Sequence, residues 1–158
     1  MVRIFIVYGG DEGEAIGREL EVYFKGNKID AFLASPKSSE IQPSEKFEER
    51  IDHELKHANL AVIVVTEGIN SSKPALDEID RILNKLKYPY IPFVKKGVTP
   101  PDQLDKRWNV YFESNNLPEE KKIELELKMW RHYDHWRTMQ TQQKAETEDL
   151  TPEVVYIG

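Results

Sequence analysis

Residues 60–65, Leu-Ala-Val-Ile-Val-Val, form six consecutive aliphatic positions without a polar interruption. A strand with one wet face alternates apolar and polar side chains, so a short β-branched run of this kind fits a strand covered on both faces. Sheets covered on both sides are built from parallel strands joined by helical crossovers. The surrounding sequence meets that demand. Residues 2–8, 29–34 and 88–94 read as further strands, and helical apolar spacing fills the stretches between them. The order β, α, β, α, β, α, β, with a short fifth strand at 109–113, gives an α/β fold: a doubly wound parallel sheet of about five strands. Pro89 and Pro92 predict an edge or irregular position for the fourth strand, because proline cannot donate to the ladder.

The helices carry their own punctuation. After the Gly9-Gly10 break, Asp11 with Glu14 three residues on reads as an acidic variant of a capping box. Ile16, Leu20, Tyr23 and Phe24 follow as the apolar stripe, and Gly26-Asn27 supplies the stop. Ser44 is the candidate cap of a second helix with Phe47, Ile51, Leu55 and Ala58 on its inner face. Leu76, Ile79, Ile82, Leu83 and Leu86 form the stripe of a third. Pro100-Pro101 marks a turn, and Asn116 and Pro118 open a long final helix on which Met129, Trp130, Tyr133 and Trp136 predict a docking face. Residues 140–150 are polar, and residues 153–157 read as a strand or an ordered tail. One domain over residues 1–115 with a helical extension over 116–158 accounts for the length.

Composition excludes several functions. A net charge of -6 gives no basic footprint for nucleic acid. The absence of cysteine removes disulfides, thiolate zinc sites and a cysteine nucleophile together. Strand pattern from Val2 leaves no room for a signal peptide, and no apolar run approaches a membrane span, so the expected location is cytoplasmic, without a membrane partner.

The candidate for chemistry is Glu78, early in the third helix and just beyond the central strand. In open α/β sheets ligands bind beyond the carboxyl ends of the strands. At about 100° per residue Glu78 falls on the shoulder of the apolar stripe, whereas Asp77 points nearly opposite, into water. The competing reading is that Glu78 only favours the helix N-terminus through the macrodipole, an effect of about 0.3–1 kcal/mol.

Tyr8-Gly9-Gly10-Asp11 after the first strand, the polar loop 35–43 after the second, and Ser72-Lys73-Pro74-Ala75-Leu76-Asp77-Glu78-Ile79 occur in the order found in one family. Tyr90-Ile91-Pro92-Phe93 through Pro100-Pro101 extends the match, and over residues 1–115 the chain resembles the Toll/interleukin-1 receptor (TIR) domain. The resemblance implies a flavodoxin-like sheet and, as in many bacterial, archaeal and plant members, cleavage of NAD at the nicotinamide–ribose bond, with a role in defence or signalling. NAD is then the substrate and no cofactor is implied. The catalytic glutamate of the family falls on Glu78. The first loop falls on Tyr8, Gly9, Gly10 and Asp11, and the loop used for self-assembly and substrate gating begins at Ser35, which implies a homo-oligomer through TIR–TIR contacts. Gly9-Gly10 and the helix N-terminus after it are candidates to meet the pyrophosphate, with Lys37 or Lys73 as partners. Where many members carry an aromatic residue four positions before the glutamate, this chain has Pro74; Tyr8 and Phe32 are the rings available to substitute. A non-enzymatic homotypic interaction module is the alternative within the same family.

Other motifs compete. His53-Glu54-Leu55-Lys56-His57 matches the H-E-x-x-H helix of zinc proteases, but Leu55 belongs to the inner stripe and turns both histidines outward. No metal site is expected. Gly9-Gly10-Asp11-Glu12-Gly13 resembles the cyclic-dinucleotide synthase signature with only eight residues before it. His132 and His135 stand at i, i+3 on the final helix, a spacing more often solvated than ligating. A receiver domain would need a phosphoacceptor where the third strand runs into Thr66-Glu67.

Overall fold

The computed structural model describes residues 2–35, 47–113 and 117–150, the last four without their side chains. Five parallel strands, β1 (Arg3–Val7), β2 (Asp30–Leu33), β3 (Leu60–Val65), β4 (Tyr90–Lys95) and β5 (Val110–Phe112), form one sheet in the order β2-β1-β3-β4-β5. The aliphatic run is its centre, and all six of its residues are buried. Helices α1 (Gly10–Gly26), α2 (Phe47–His57), α3 (Lys73–Arg81) and α4 (Glu119–Leu150) cover it on both faces. Alternation along the strands divides the core. Ile4, Ile6, Val62, Val64 and Phe93 pack with Ile16, Leu20 and Phe24 of α1 and Leu125 and Met129 of α4. Phe5, Val7, Phe32, Ile63 and Val65 pack with Leu55 of α2 and Ala75 and Ile79 of α3.

Three sequence expectations change. The fourth strand is internal, between β3 and β5, rather than at an edge. Its proline is tolerated because β5 pairs only with Phe93, Val94 and Lys95, so at Pro92 the strand has a partner on the β3 side alone. Helix α1 starts at Gly10 with Gly9 as its cap residue and no side-chain cap, so the Asp11/Glu14 box does not form. Glu14 instead binds Arg18 at 2.6 Å and accepts from the Ser35 hydroxyl at 3.0 Å. At the other end Gly26 closes the helix as foreseen, but the left-handed residue is Lys28 (φ 62°) rather than a glycine. Ser44 and residues 153–157 lie outside the described residues.

At about 1.5 Å per residue α4 is about 48 Å long, more than twice the length of the strands beneath it. Its docking row is Leu125, Met129 and His132 rather than the aromatic stripe alone: the first two are fully buried, and the His132 ring lies flat on Trp108, centroids 4.1 Å apart. Trp130, Tyr133 and Trp136 are half-buried and pack against one another. Residues 137–146 are exposed. Desolvation lowers the His132 pKa to about 4, so the unfolded chain takes up this proton first as pH falls. Stability contributed by neutral His132 is therefore complete above about 6.5 and is lost as pH falls towards 4. The expected loss between pH 7 and 4.5 is about 1–2 kcal/mol after allowance for partial exposure. Urea midpoints of wild type and His132→Phe, which keeps a ring on Trp108, check this: the variant should lack that share of the acid slope.

Candidate functional site

Glu78 lies in the second turn of α3, whose start is fixed by Ser72: its Oγ accepts the Ala75 N–H at 3.3 Å, and Pro74 occupies the first turn, where it forfeits no helical hydrogen bond. Asp77 points to solvent and pairs with Lys73 at 2.9 Å. Glu78 turns the other way and is partly buried. Arg81, three residues on and on the same side of the helix, reaches Asp52 of α2 at 2.6 Å. Tyr88, just before β4, is buried along the same seam and donates its hydroxyl to the Leu55 carbonyl at 3.0 Å.

The Glu78 carboxyl has no hydrogen bond or ion pair among the described residues. One side of the residue stays open to water while protein crowds the rest, and this desolvation pushes its pKa up to about 8; Arg81 opposes the shift and Asp77 adds to it. The Glu78 charge is felt by two phenols. Burial raises the Tyr8 phenol to about 12, with Glu14 and Glu78 contributing, and Tyr88 is raised by burial and by Glu78.

The connections after β1 and β3 close on each other above the sheet. A Cβ at Gly9 would stand 2.8 Å from both the Ile69 Cα and the Ser72 Cβ, and one at Gly68 would stand 2.8 Å from the Gly9 carbonyl oxygen. Main chain therefore fills the crest between β1 and β3. Gly10 is exposed with φ +84°.

The structure gathers some of the sequence candidates and separates others. Tyr8 is half-buried, donates to the Ala34 carbonyl and stands within electrostatic reach of Glu78. Ser35 is buried, between Glu14 and Arg18. Phe32 is wholly buried against Phe5, centroids 5.8 Å apart, so it packs in the core and is not a substitute ring. Lys73 is 85% exposed and engaged by Asp77. Asp11 turns to a separate groove of about 620 Å³ on the outer side of α1, lined also by Glu14, Arg18, Glu19, Val22 and Lys122, in which Glu78 takes no part. Lys37 lies outside the described residues.

The protease motif does not assemble a metal centre. His53 and His57 are exposed and stack on each other at 4.2 Å, while Glu54 is buried and bound by Arg3 at 2.6 Å and Arg50 at 2.9 Å. No group of three or more metal-ligating side chains occurs among the described residues. No helix among them is long and apolar enough to cross a membrane.

A model of the TIR domain family matches residues 4–127. The chain belongs to the TIR domain family. Among solved structures, this TIR domain is similar to that of the Toll-related receptor TRR-2 from Hydra magnipapillata, with a TM-score of 0.56, 14% identity, and coverage of 87% of this chain and 97% of that one. It is also similar to the TIR domains of the activated Roq1 resistosome that recognises the pathogen effector XopQ, with a TM-score of 0.51 and 18% identity over 61% of this chain. That match spans 58% of the Roq1 chain. At these identities the likeness is one of fold. No curated protein sequence matches the chain.

Sequence reasoning missed Arg81 and Tyr88 within electrostatic reach of Glu78, and Asp52 as the partner of Arg81. Arg81 was visible at i+3, but the Asp52 and Tyr88 contacts come from other elements and leave no local signal. Glu14 and Arg18, at i, i+4, did carry a legible pairing pattern.

Proposed function

We propose that this TIR domain cleaves NAD at the nicotinamide–ribose bond, by hydrolysis or cyclisation, with Glu78 as the catalytic carboxylate. The observation that supports this reading is the Glu78 carboxyl group, without a counter-ion among the described residues, crowded by protein yet open on one side. The bond that breaks joins the ribose C1′ to the pyridinium nitrogen, and its electron pair leaves with nicotinamide, which becomes neutral. No general acid is needed, in contrast to ordinary glycosides that require two carboxyl groups. Positive charge grows on the ribose, and a carboxylate held beside it in a poorly hydrated crevice opposes that charge at the transition state. In hydrolysis, water then adds to C1′ and releases its proton. The raised pKa of Glu78 fits the role, since the bound cationic ribosyl-pyridinium favours the ionised carboxylate.

The rest of the substrate has compatible neighbours. The α1 N-terminus carries no side-chain cap, Gly10 is exposed, and Glu12, which would repel a pyrophosphate, is neutralised by Lys95 at 3.1 Å. Tyr8 remains as the ring for stacking. The resistosome form of a similar structure supports self-association through TIR–TIR contacts as part of the working state. A defence or signalling role is part of the same proposal.

One observation favours a second reading, a homotypic interaction module without catalysis: Pro74, where many members carry an aromatic residue, is exposed and offers no stacking surface. Incubation with NAD separates the two. Nicotinamide is expected from wild type at high protein concentration and not from Glu78→Ala; intact NAD with both proteins supports the module.

A further inference from the structure

The α2–α3 seam holds an arrangement that the reaction itself does not require. Asp52 accepts two cations, Arg81 of α3 at 2.6 Å and Lys56 of its own helix at 3.0 Å. Arg81 could as well turn back along its own helix, because residues at i and i+3 are neighbours on a helical surface. The other carboxylates near it on α3 are engaged: Asp77 by Lys73 at 2.9 Å, and Asp80 by the Asn84 amide at 2.6 Å. Glu78 is the one left without a partner among the described residues, one turn from the guanidinium.

We propose that Asp52 is a positioning residue for Glu78, which by holding the Arg81 guanidinium on α2 keeps the Glu78 carboxyl free of a counter-ion and available to a cationic substrate. Loss of the Asp52 contact transfers Arg81 to Glu78. An Arg81–Glu78 pair would leave the glutamate ionised but occupied, and a cationic ribose would then have to displace the arginine. The proposal rests on Glu78 being the catalytic carboxylate only for its effect on turnover, since the transfer of Arg81 is a property of the free protein. The groups within electrostatic reach of Glu78 are Arg81 and the solvent-facing Asp77 on α3, Tyr8 after β1 and Tyr88 before β4, while Asp52 and Lys56 of α2 form the cluster that holds Arg81. Of these, Arg81 is the cation on its own helix, and burial raises both phenols, so neither is charged in the neutral range.

The test is a carboxyl-carbon NMR titration of the full chain, with the Glu78 resonance assigned through Glu78→Gln. In Asp52→Asn the Glu78 midpoint should fall by about one unit or more, the scale on which a neighbouring arginine acts on a carboxylate. Asp52→Glu should restore it, and Arg81→Gln/Asp52→Asn should show no such fall. An unchanged midpoint in folded Asp52→Asn, or an equal fall in the double variant, overturns the proposal. In the NAD assay Asp52→Asn should raise KM with a smaller change in kcat. If wild type releases no nicotinamide, the functional reading fails while the titration still decides this one.

Discussion

Glu78→Gln is expected to stabilise the fold while it removes NAD cleavage. Glutamine keeps the shape and cannot ionise. In wild type the folded carboxyl holds its proton up to about pH 8, against an ordinary value of 4.5, so between these limits the folded state binds more protons than the unfolded chain. The stability this group contributes is complete below about 4.5 and is lost as pH rises through about 8. Above pH 8 the wild type carries a poorly hydrated charge that unfolding would release to water. Glutamine removes that cost, and a gain of about 2 kcal/mol at pH 9, shrinking to near zero at pH 5, is expected after allowance for the open side of the residue. Denaturant melts at the two pH values check it. Over the same range the variant should lose at least about 10²–10³-fold in nicotinamide release, the scale of deleting one electrostatic contact to a transition state. A residue there only to favour the helix N-terminus would show the opposite stability change, since ionised carboxylates stabilise that end of a helix.

The second large effect belongs to Gly9. Its φ of −137° is extended backbone open to any residue, so conformational freedom is not why glycine stands there. Close approach is the reason: a methyl group would press on the Ile69 main chain and on Ser72, the cap of the helix that carries Glu78. Both loops are anchored by buried strands, so neither yields cheaply. Gly9→Ala should cost about 2–4 kcal/mol and lower turnover in the protein that remains folded, through displacement of Ser72. Gly10→Ala is the control. There a Cβ meets nothing nearer than the Gly68 Cα at 3.5 Å, and the strain comes from φ +84° alone, with a cost of about 1 kcal/mol. Thermal denaturation of the two variants should rank them in that order, whereas equal costs would mean that the crest is less tightly packed than described.

What the sequence allowed to be read follows from how local each cause is. The aliphatic run 60–65 had to be central because nothing in it tolerates water. The position of β4 was misjudged because the tolerance for Pro92 depends on where β5 begins, a register set elsewhere in the chain. The start of α1 was missed by two residues: Gly9 stands as the cap residue rather than Asp11, and Glu14, expected to complete the box, is drawn off by Arg18 and Ser35. Glu54 sits in a five-residue motif that the sequence reading set aside, and it is a buried ion-pair partner of Arg3 and Arg50, of which only the former is distant in sequence. The shoulder position of Glu78 was legible from helical spacing, but its lack of a counter-ion among the described residues was not, because the Arg81–Asp52 pair joins two helices distant in sequence.

The pH dependence of kcat/KM for nicotinamide release decides whether Glu78 acts as a carboxylate, because this quantity reports ionisation in the free enzyme. With Glu78 required as a carboxylate, the profile should rise about tenfold per unit below a limb near pH 8 and level off above it, and Asp52→Asn should move the limb to lower pH. A profile flat from pH 6 to 9, or nicotinamide release that persists in Glu78→Gln, would contradict the assignment of this carboxyl group to the chemistry.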